Sequence, residues 1–277
     1  MSQRSPRVQQ KRAFSRIIGP NLQAAAFYVA LIVAWELVSR AGLVREFVLP
    51  APSTILRALV DVRRDLANNT VVTVREILVG FVVGSGIGFL LGVGIFYSSF
   101  LRRIIYPGAL FMQTVPKIAL APLFIVWFGI GEAPIVAITA LICLFPVLIN
   151  TVVGLEAVDQ KLLEMMHSVS ASGLQKFRMI YLPSALPNVM AGLEVASTLA
   201  VVGALVGEFI GAQSGLGYQI MVANSRLRTD ELFAALMAVA AIGIIFFFLV
   251  KGIEGFLLRD RPSAKKQEAV DPFVRSA

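Results

Sequence analysis

Cysteine and histidine are almost missing from this chain, with Cys143 and His167 the single examples in 277 residues. One cysteine cannot close an intrachain disulfide, and neither residue stands among the ligands that a metal site needs, so no metal is expected. No Gly-x-x-x-x-Gly-Lys-Ser/Thr stretch occurs, so the chain lacks a phosphate-cradling loop of its own. Gly-x-Ser-x-Gly and His-Glu-x-x-His are absent as well, which removes the usual hydrolytic constellations. Charge is scarce too. Only 15% of residues are Asp, Glu, Lys or Arg, where a soluble domain carries about 25%. With 57% hydrophobic residues and a mean hydropathy of +0.79, the chain reads as an integral membrane protein. The net charge of +8 then fits basic ends facing anionic lipid, not nucleic acid.

What the chain has in quantity is apolar length. Runs at about 22–38, 77–97, 104–128, 135–153, 189–210 and 232–250 each approach the ~20 residues that cross a bilayer as a helix. The expected fold is an all-α integral membrane protein of six transmembrane helices. Its parts are a basic N-terminal segment 1–21, a six-span body 22–258 and a tail 259–277. A basic stretch before an apolar one also marks signal peptides, but the first run is long and lacks a small-residue cleavage site. It is read as a retained span.

Basic residues set the expected orientation. Sixteen of the 25 lie before the first span, at Arg102 and Arg103, at Lys161, Lys176 and Arg178, and from Lys251 onward. Eight lie between the alternate spans: Arg40, Arg45, Arg57, Arg63, Arg64, Arg75, Arg226 and Arg228. This bias puts both termini in the cytosol, together with the polar stretch 156–187. Residues 39–73 carry much of the exception and are expected to hold an amphipathic surface helix after Leu49-Pro-Ala-Pro-Ser-Thr54.

Two features inside the spans point to close packing and to a bend. Gly80, Gly84, Gly88 and Gly92 recur every fourth residue, and Gly203, Gly207 and Gly211 repeat the pattern. Such ladders let helix backbones approach, and static packing is favoured over a sliding contact. Pro107, Pro116 and Pro122 interrupt the third run, which is tolerable where a helix turns around a cavity. Glu36, Lys117, Glu194 and Glu208 are ionisable groups within the runs, and Arg75 and Glu76 sit at an edge. A cation such as Lys117 costs on the order of 3 kcal/mol at the centre of a span. It either lines a pathway and attracts an anion, or pairs with a glutamate such as Glu194. Glu208 serves packing or a gate.

The longest polar interruption in the second half runs from Glu156 to Pro187 and is patterned. Leu162, Met165, Met166 and Val169 fall at helical spacing and predict one short amphipathic helix. Ser172-Gly-Leu-Gln175 has the form of a capping box. Leu174, Phe177, Ile180 and Tyr181 give a second short helix an apolar face, and Pro183 is expected to end it. The two helices, crossing near a right angle, would form a knob in the cytosol. Its Met165, Met166 and Val169 are expected to be buried against a partner.

Glu164 followed by Ile180-x-Leu182-Pro183 resembles the signature of permease subunits of ATP-binding-cassette (ABC) importers. The family pattern is Glu-Ala-Ala, three residues, Gly, nine residues, then Ile-x-Leu-Pro. Here Met165 and Met166 stand at the alanines and Ser170 at the glycine, with Gly173 three positions on. Leu49-Pro-Ala-Pro-Ser-Thr54, Pro116-Lys-Ile-Ala-Leu-Ala-Pro-Leu123, Trp127-Phe-Gly-Ile-Gly131 and Ser214-Gly-Leu-Gly217 are similar to the nitrate/sulfonate/taurine branch. The likeness covers the chain from about Leu49 to the end of the last span.

The resemblance implies a transport subunit in the bacterial cytoplasmic (inner) membrane, not an enzyme. It implies a second permease copy, most simply as a homodimer, and two cytosolic ATPases that carry the ATP and magnesium. No cofactor is expected on this chain itself. A periplasmic or extracellular binding protein would deliver a small solute, anionic by preference in this branch, with nitrate, taurine, another sulfonate or an organic vitamin precursor all open. Glu164, Met165, Met166, Val169, Ser170, Gly173, Ile180, Leu182 and Pro183 would couple to the ATPase, and Lys117, Glu194 and Glu208 are the candidate pathway residues. The competing reading is a secondary transporter driven by an ion gradient, with Lys117 and the buried glutamates as coupling groups. A membrane scaffold would leave the prolines and buried charges without a purpose.

Overall fold

Apolar runs without a polar break fold as long helices, and the prolines and glycines decide where those helices stop or turn. The computed structural model describes residues 24–259, and every regular element among them is helical. They fall into two units. One holds the chain up to Leu66 with Gln219–Leu236; the other holds Ala67–Tyr218 and the chain from Met237 onward.

In the first unit, α1 covers 24–40 and α2 is Pro52–Asp61, with Pro52 in its first turn. Proline suits that position, because its missing N–H would have had no helical partner. The Leu49–Thr54 motif between them is tied down by α1. Trp35 donates its ring N–H to the Pro50 carbonyl at 3.1 Å, and Ser39 its hydroxyl to the Leu49 carbonyl at 2.9 Å. Glu36 accepts the Ser53 hydroxyl at 2.7 Å and the Ser53 N–H at 3.0 Å, and pairs with Arg40 at 2.5 Å. Glu36 thus acts locally, holding the start of the expected surface helix, α2. Thr229 donates to the Phe47 carbonyl at 2.7 Å from the other end of this unit.

The second unit is built on α3 (Arg63–Tyr97, its first residues in the other unit), α4 (Ser99–Thr114), α5 (Ala121–Phe128), α6 (Glu132–Glu156), α7 (Gln160–Ser168), α8 (Gly173–Lys176) and α9 (Leu182–Gly211). Helices α10 (Leu216–Ser225) and α11 (Thr229–Leu257) complete the chain, each shared between the units. The glycine ladder of α3 lies on α6. A Cβ on Gly84 would come 2.7 Å from the Ala140 Cα, and one on Gly92 the same distance from the Thr151 Cβ. These backbones are in close contact, as the small-residue ladder predicts. On the other side of α6 lies α9, where Gly203 faces Thr139 and Gly207 faces Ile135. Cys143 belongs to the same seam, its thiol reaching the Ala196 carbonyl at 3.4 Å.

Helices α3, α6, α11 and the continuous stretch Gly173–Gly211 are each long and apolar enough to cross a membrane. The third expected span departs from a simple rod. Pro116 forces Val115 out of the helical region, to φ −72° and ψ 129°. A 3₁₀ turn at Lys117–Leu120 follows, and α4 and the chain after it are bent by 97°. If that bent pair is one span, the count reaches five. The expected first span, 22–38, begins outside the described residues, as do the basic segment 1–21 and nearly all of the tail.

Candidate coupling segment and solute path

Segment 157–181 is a small folded unit with its own core. The Asp159 side chain caps α7 by accepting the Lys161 N–H at 2.9 Å. Met166, Val158 and Ile180 then pack together, with Leu163, Ala171 and Tyr181 around them. Met166 is only 7% exposed, whereas Met165 is 57% and Val169 68% exposed. This corrects the expectation for Met166: it is a core residue of the segment and is not offered to a partner. The corner is made by Ser170 itself, in the left-handed region at φ 53°, at the position where the family pattern has glycine. Gly173 does not supply the turn; it opens α8. The capping box forms as the spacing predicts. Ser172 accepts the Gln175 N–H at 3.3 Å, and the Gln175 side chain accepts the Ser172 N–H at 2.7 Å.

Pro183 does not end a second short helix. The backbone opens into a π-helical turn over Phe177–Tyr181 and runs on into α9, with Pro183 in its first turn. A wider turn relieves the clash that proline makes with the preceding one, so the helix continues from Gly173 to Gly211. Glu164 and Leu174 are exposed on the segment; Leu182 and Pro183 are half-buried at its base. Arg102 and Glu156 pair at 2.7 Å beside it, joining the start of α4 to the end of α6.

Lys117 occupies the bend after α4. Its ammonium lies 5.2 Å from the centre of the Phe145 ring, and Phe145 stands near the midpoint of α6. The pairing with Glu194 does not form; among the described residues Lys117 has no ion-pair partner. Glu194 instead lies near Glu254 of α11, with Lys251 in the same neighbourhood.

Glu208, near the end of α9, is 1% exposed and is enclosed by the Ser214–Gly217 motif. It accepts the Thr73 hydroxyl at 2.6 Å and the Gly217 N–H. Thr73 in turn accepts the Leu216 N–H at 2.8 Å, and Asn69 accepts the Gly215 N–H at 2.8 Å. Gly215 lies at φ +105°, and a side chain there would overlap the Glu208 carboxylate. Glu76, 2% exposed, lies beside Glu208, and one of its oxygens has no hydrogen-bond partner among the described residues. Glu208 is thus a packing and loop-holding group.

Sequence reasoning missed Asn69, Thr73 and the role of Glu76. Their signal was a polar stripe at spacings of four and three, on one face of an apolar helix. Gln113 and Asn150 were missed as well. Gln113 lies one turn before Lys117, and Asn150 is an amide alone in an apolar run.

An all-helical body with a broken span and a folded loop of exposed apolar side chains defines a membrane transport subunit. The chain belongs to the family described as the binding-protein-dependent transport system inner membrane component, whose model matches residues 84–260. This is the permease of ABC importers, a multi-pass inner membrane protein, as the motifs implied. Identity is 34% over 247 residues to the formylaminopyrimidine transport permease protein ThiX of Halalkalibacterium halodurans, covering 89% of this chain and 97% of that one. To the putative aliphatic sulfonates transport permease protein SsuC of Bacillus subtilis it is 32% over 235 residues, covering 84% and 85%. The fold is also that of an amino acid ABC transporter crystallised with histidines. That match has a TM-score of 0.58 at 17% identity, over 73% of this chain and 96% of that one.

Proposed function

We propose that this chain is the permease of an ATP-driven importer whose cytosolic ATPase subunits grip segment 157–181. The carrying observation is the exposure of Met165, Val169 and Leu174 on a segment that already has its own core. Large apolar groups fixed on a rigid base fit a docking surface. ATP and magnesium belong to the ATPase subunits. Both termini and the segment face the cytosol, following the basic residues. A second copy of the permease completes the path, and an external binding protein delivers the solute. The solute is small and anionic, in keeping with the sulfonate permease among the relatives and with the unpaired Lys117. Family membership gives no support to an ion-gradient transporter.

The test is detergent pull-down of the ATPase together with solute-stimulated ATP hydrolysis in proteoliposomes. Burying a Val or Leu side chain contributes roughly 1.5–3 kcal/mol, so Val169→Asp and Leu174→Asp are expected to weaken ATPase retention by about tenfold or more. Wild-type retention and hydrolysis in both variants would overturn the docking assignment.

A further inference from the structure

Beside the bend after α4 lies an open cleft of about 470 Å³, walled by α4, the 3₁₀ turn, α6 and α9, with Gln113, Ile118, Val195 and Val202 exposed along it. Its polar groups are Gln113, Lys117 and Asn150, and its remaining wall is apolar, with Phe145, Leu199 and Val202 facing it. We infer that this cleft is a solute station inside the permease. It takes a small organic monoanion by its carboxylate or sulfonate head, and it discriminates against zwitterions. The inference rests on the importer reading and names its substrate class.

Four observations carry it. The Lys117 ammonium has the face of Phe145 as a neighbour and no carboxylate among the described residues. A cation so placed calls for a counter-ion or water. Second, amide groups stand in the same wall. Asn150 spends one N–H on the Pro146 carbonyl at 2.8 Å, which leaves its second N–H to donate. Gln113 forms no hydrogen bond among the described residues, and both its N–H groups are free. One ammonium with amide donors matches the several acceptor oxygens of a carboxylate or sulfonate.

Third, the rest of the wall is hydrocarbon, so it suits a carbon body better than a strongly hydrated inorganic ion. The volume is that of a small-molecule pocket. Fourth, the lining contains no carboxylate. Glu194 adjoins the lining residue Val195 in sequence but does not line the cleft, and it has Glu254 of α11 for a neighbour. An aminosulfonate or amino acid would therefore leave its own ammonium without a partner, beside that of Lys117. The cleft also sits where a broken helix turns, level with the middle of α6, the kind of place in which membrane transporters hold their solutes.

The experiment uses the full-length chain in membranes, without ATP or binding protein, with Cys143→Ser and a single cysteine introduced by Val202→Cys. The probe is 2-sulfonatoethyl methanethiosulfonate, compared with its trimethylammonium analogue. In both, the thiolate attacks the sulfenyl sulfur and methanesulfinate leaves. The anionic reagent is expected to react roughly tenfold faster, relative to free thiol, because of the nearby ammonium. Lys117→Met should abolish that preference, and Lys117→Arg should keep it. Pentanesulfonate at millimolar concentration should slow labelling, while taurine should not.

Failure of the anionic reagent to label, equal relative rates, or a preference that survives Lys117→Met would overturn the station. Equal protection by taurine and pentanesulfonate would overturn the discrimination against zwitterions. Should Lys117→Met fail to reach the membrane, the parent's charge preference and its protection by pentanesulfonate decide. Because no ATPase takes part, loss of the charge preference with intact ATPase pull-down strikes this inference alone. The reverse result strikes the importer reading alone.

Discussion

The Thr73 hydroxyl donates to the Glu208 carboxylate at 2.6 Å, although 135 positions separate them in the chain. With the Gly217 N–H on the same carboxylate and the Leu216 N–H on Thr73, this contact fastens the loop after α9 to α3. The donors are buried, so the carboxylate cannot be removed without orphaning them. Glu208→Leu is expected to cost about 3–5 kcal/mol, as for breaking a buried charged group from its partners. In detergent, its melting temperature should fall well below that of the parent. Glu76→Gln places an amide donor beside Glu208 without removing any donor that holds it and should be mild. Equal melting of Glu208→Leu and parent would refute this account of the loop.

Substitutions on α3 should divide by face. Gly84 touches the Ala140 backbone, while a Cβ on Gly86, two residues on, would meet nothing within 4 Å. Gly84→Ala should push α3 from α6 and sharply reduce the yield of monodisperse protein. Gly86→Ala should match or slightly exceed the parent, since alanine is the better helix former by about 1 kcal/mol. Size-exclusion profiles of the two variants check this, and indistinguishable profiles would count against the close contact.

At the corner of segment 157–181, Ser170 holds a left-handed conformation that costs an ordinary residue about 1–2 kcal/mol. Ser170→Gly should raise thermal stability slightly and preserve ATPase retention. Ser170→Val, β-branched and poorly suited to positive φ, should lower both. Met166→Asp should unfold the segment rather than simply weaken docking, because Met166 lies in its core. Limited proteolysis separates it from Val169→Asp, which should remain resistant.

Single cysteines at Ser170 and Ser214, in a Cys143→Ser background, are expected to react with an impermeant maleimide from opposite faces of intact vesicles. Labelling of both from one face would contradict the assigned orientation.

The sequence made the helical class, the glycine contact and the capping box legible, because each follows from spacing along one helix. Periodicity assigns the side chain of Met166 to a partner because it defines an apolar face without saying what covers it; Val158 and Ile180 do so from within the chain. Pro183 reads as a stop because proline removes one N–H and crowds one turn. A π-turn satisfies both constraints, and local pattern does not reveal it. The surroundings of Glu208 escape such a reading because Thr73 reaches it, and Asn69 reaches Gly215, across well over a hundred residues. Lys117 is recognisable as a cation within an apolar run, but its isolation from Glu194 depends on the folded arrangement of the helices, which composition cannot express.

The passage of the backbone through Pro183 has a mechanical consequence. From Gly173 to Gly211 the helix is 39 residues long, about 58 Å at the usual rise. Its first turns carry exposed Leu174, its middle supplies Val195, Leu199 and Val202 to the cleft wall, and its far end bears Glu208. One rod therefore touches all three places, with no hinge loop between them. A force that tilts or twists the Leu174 end acts as on a lever arm, moving the cleft wall and straining the clasp at Glu208 in a single stroke.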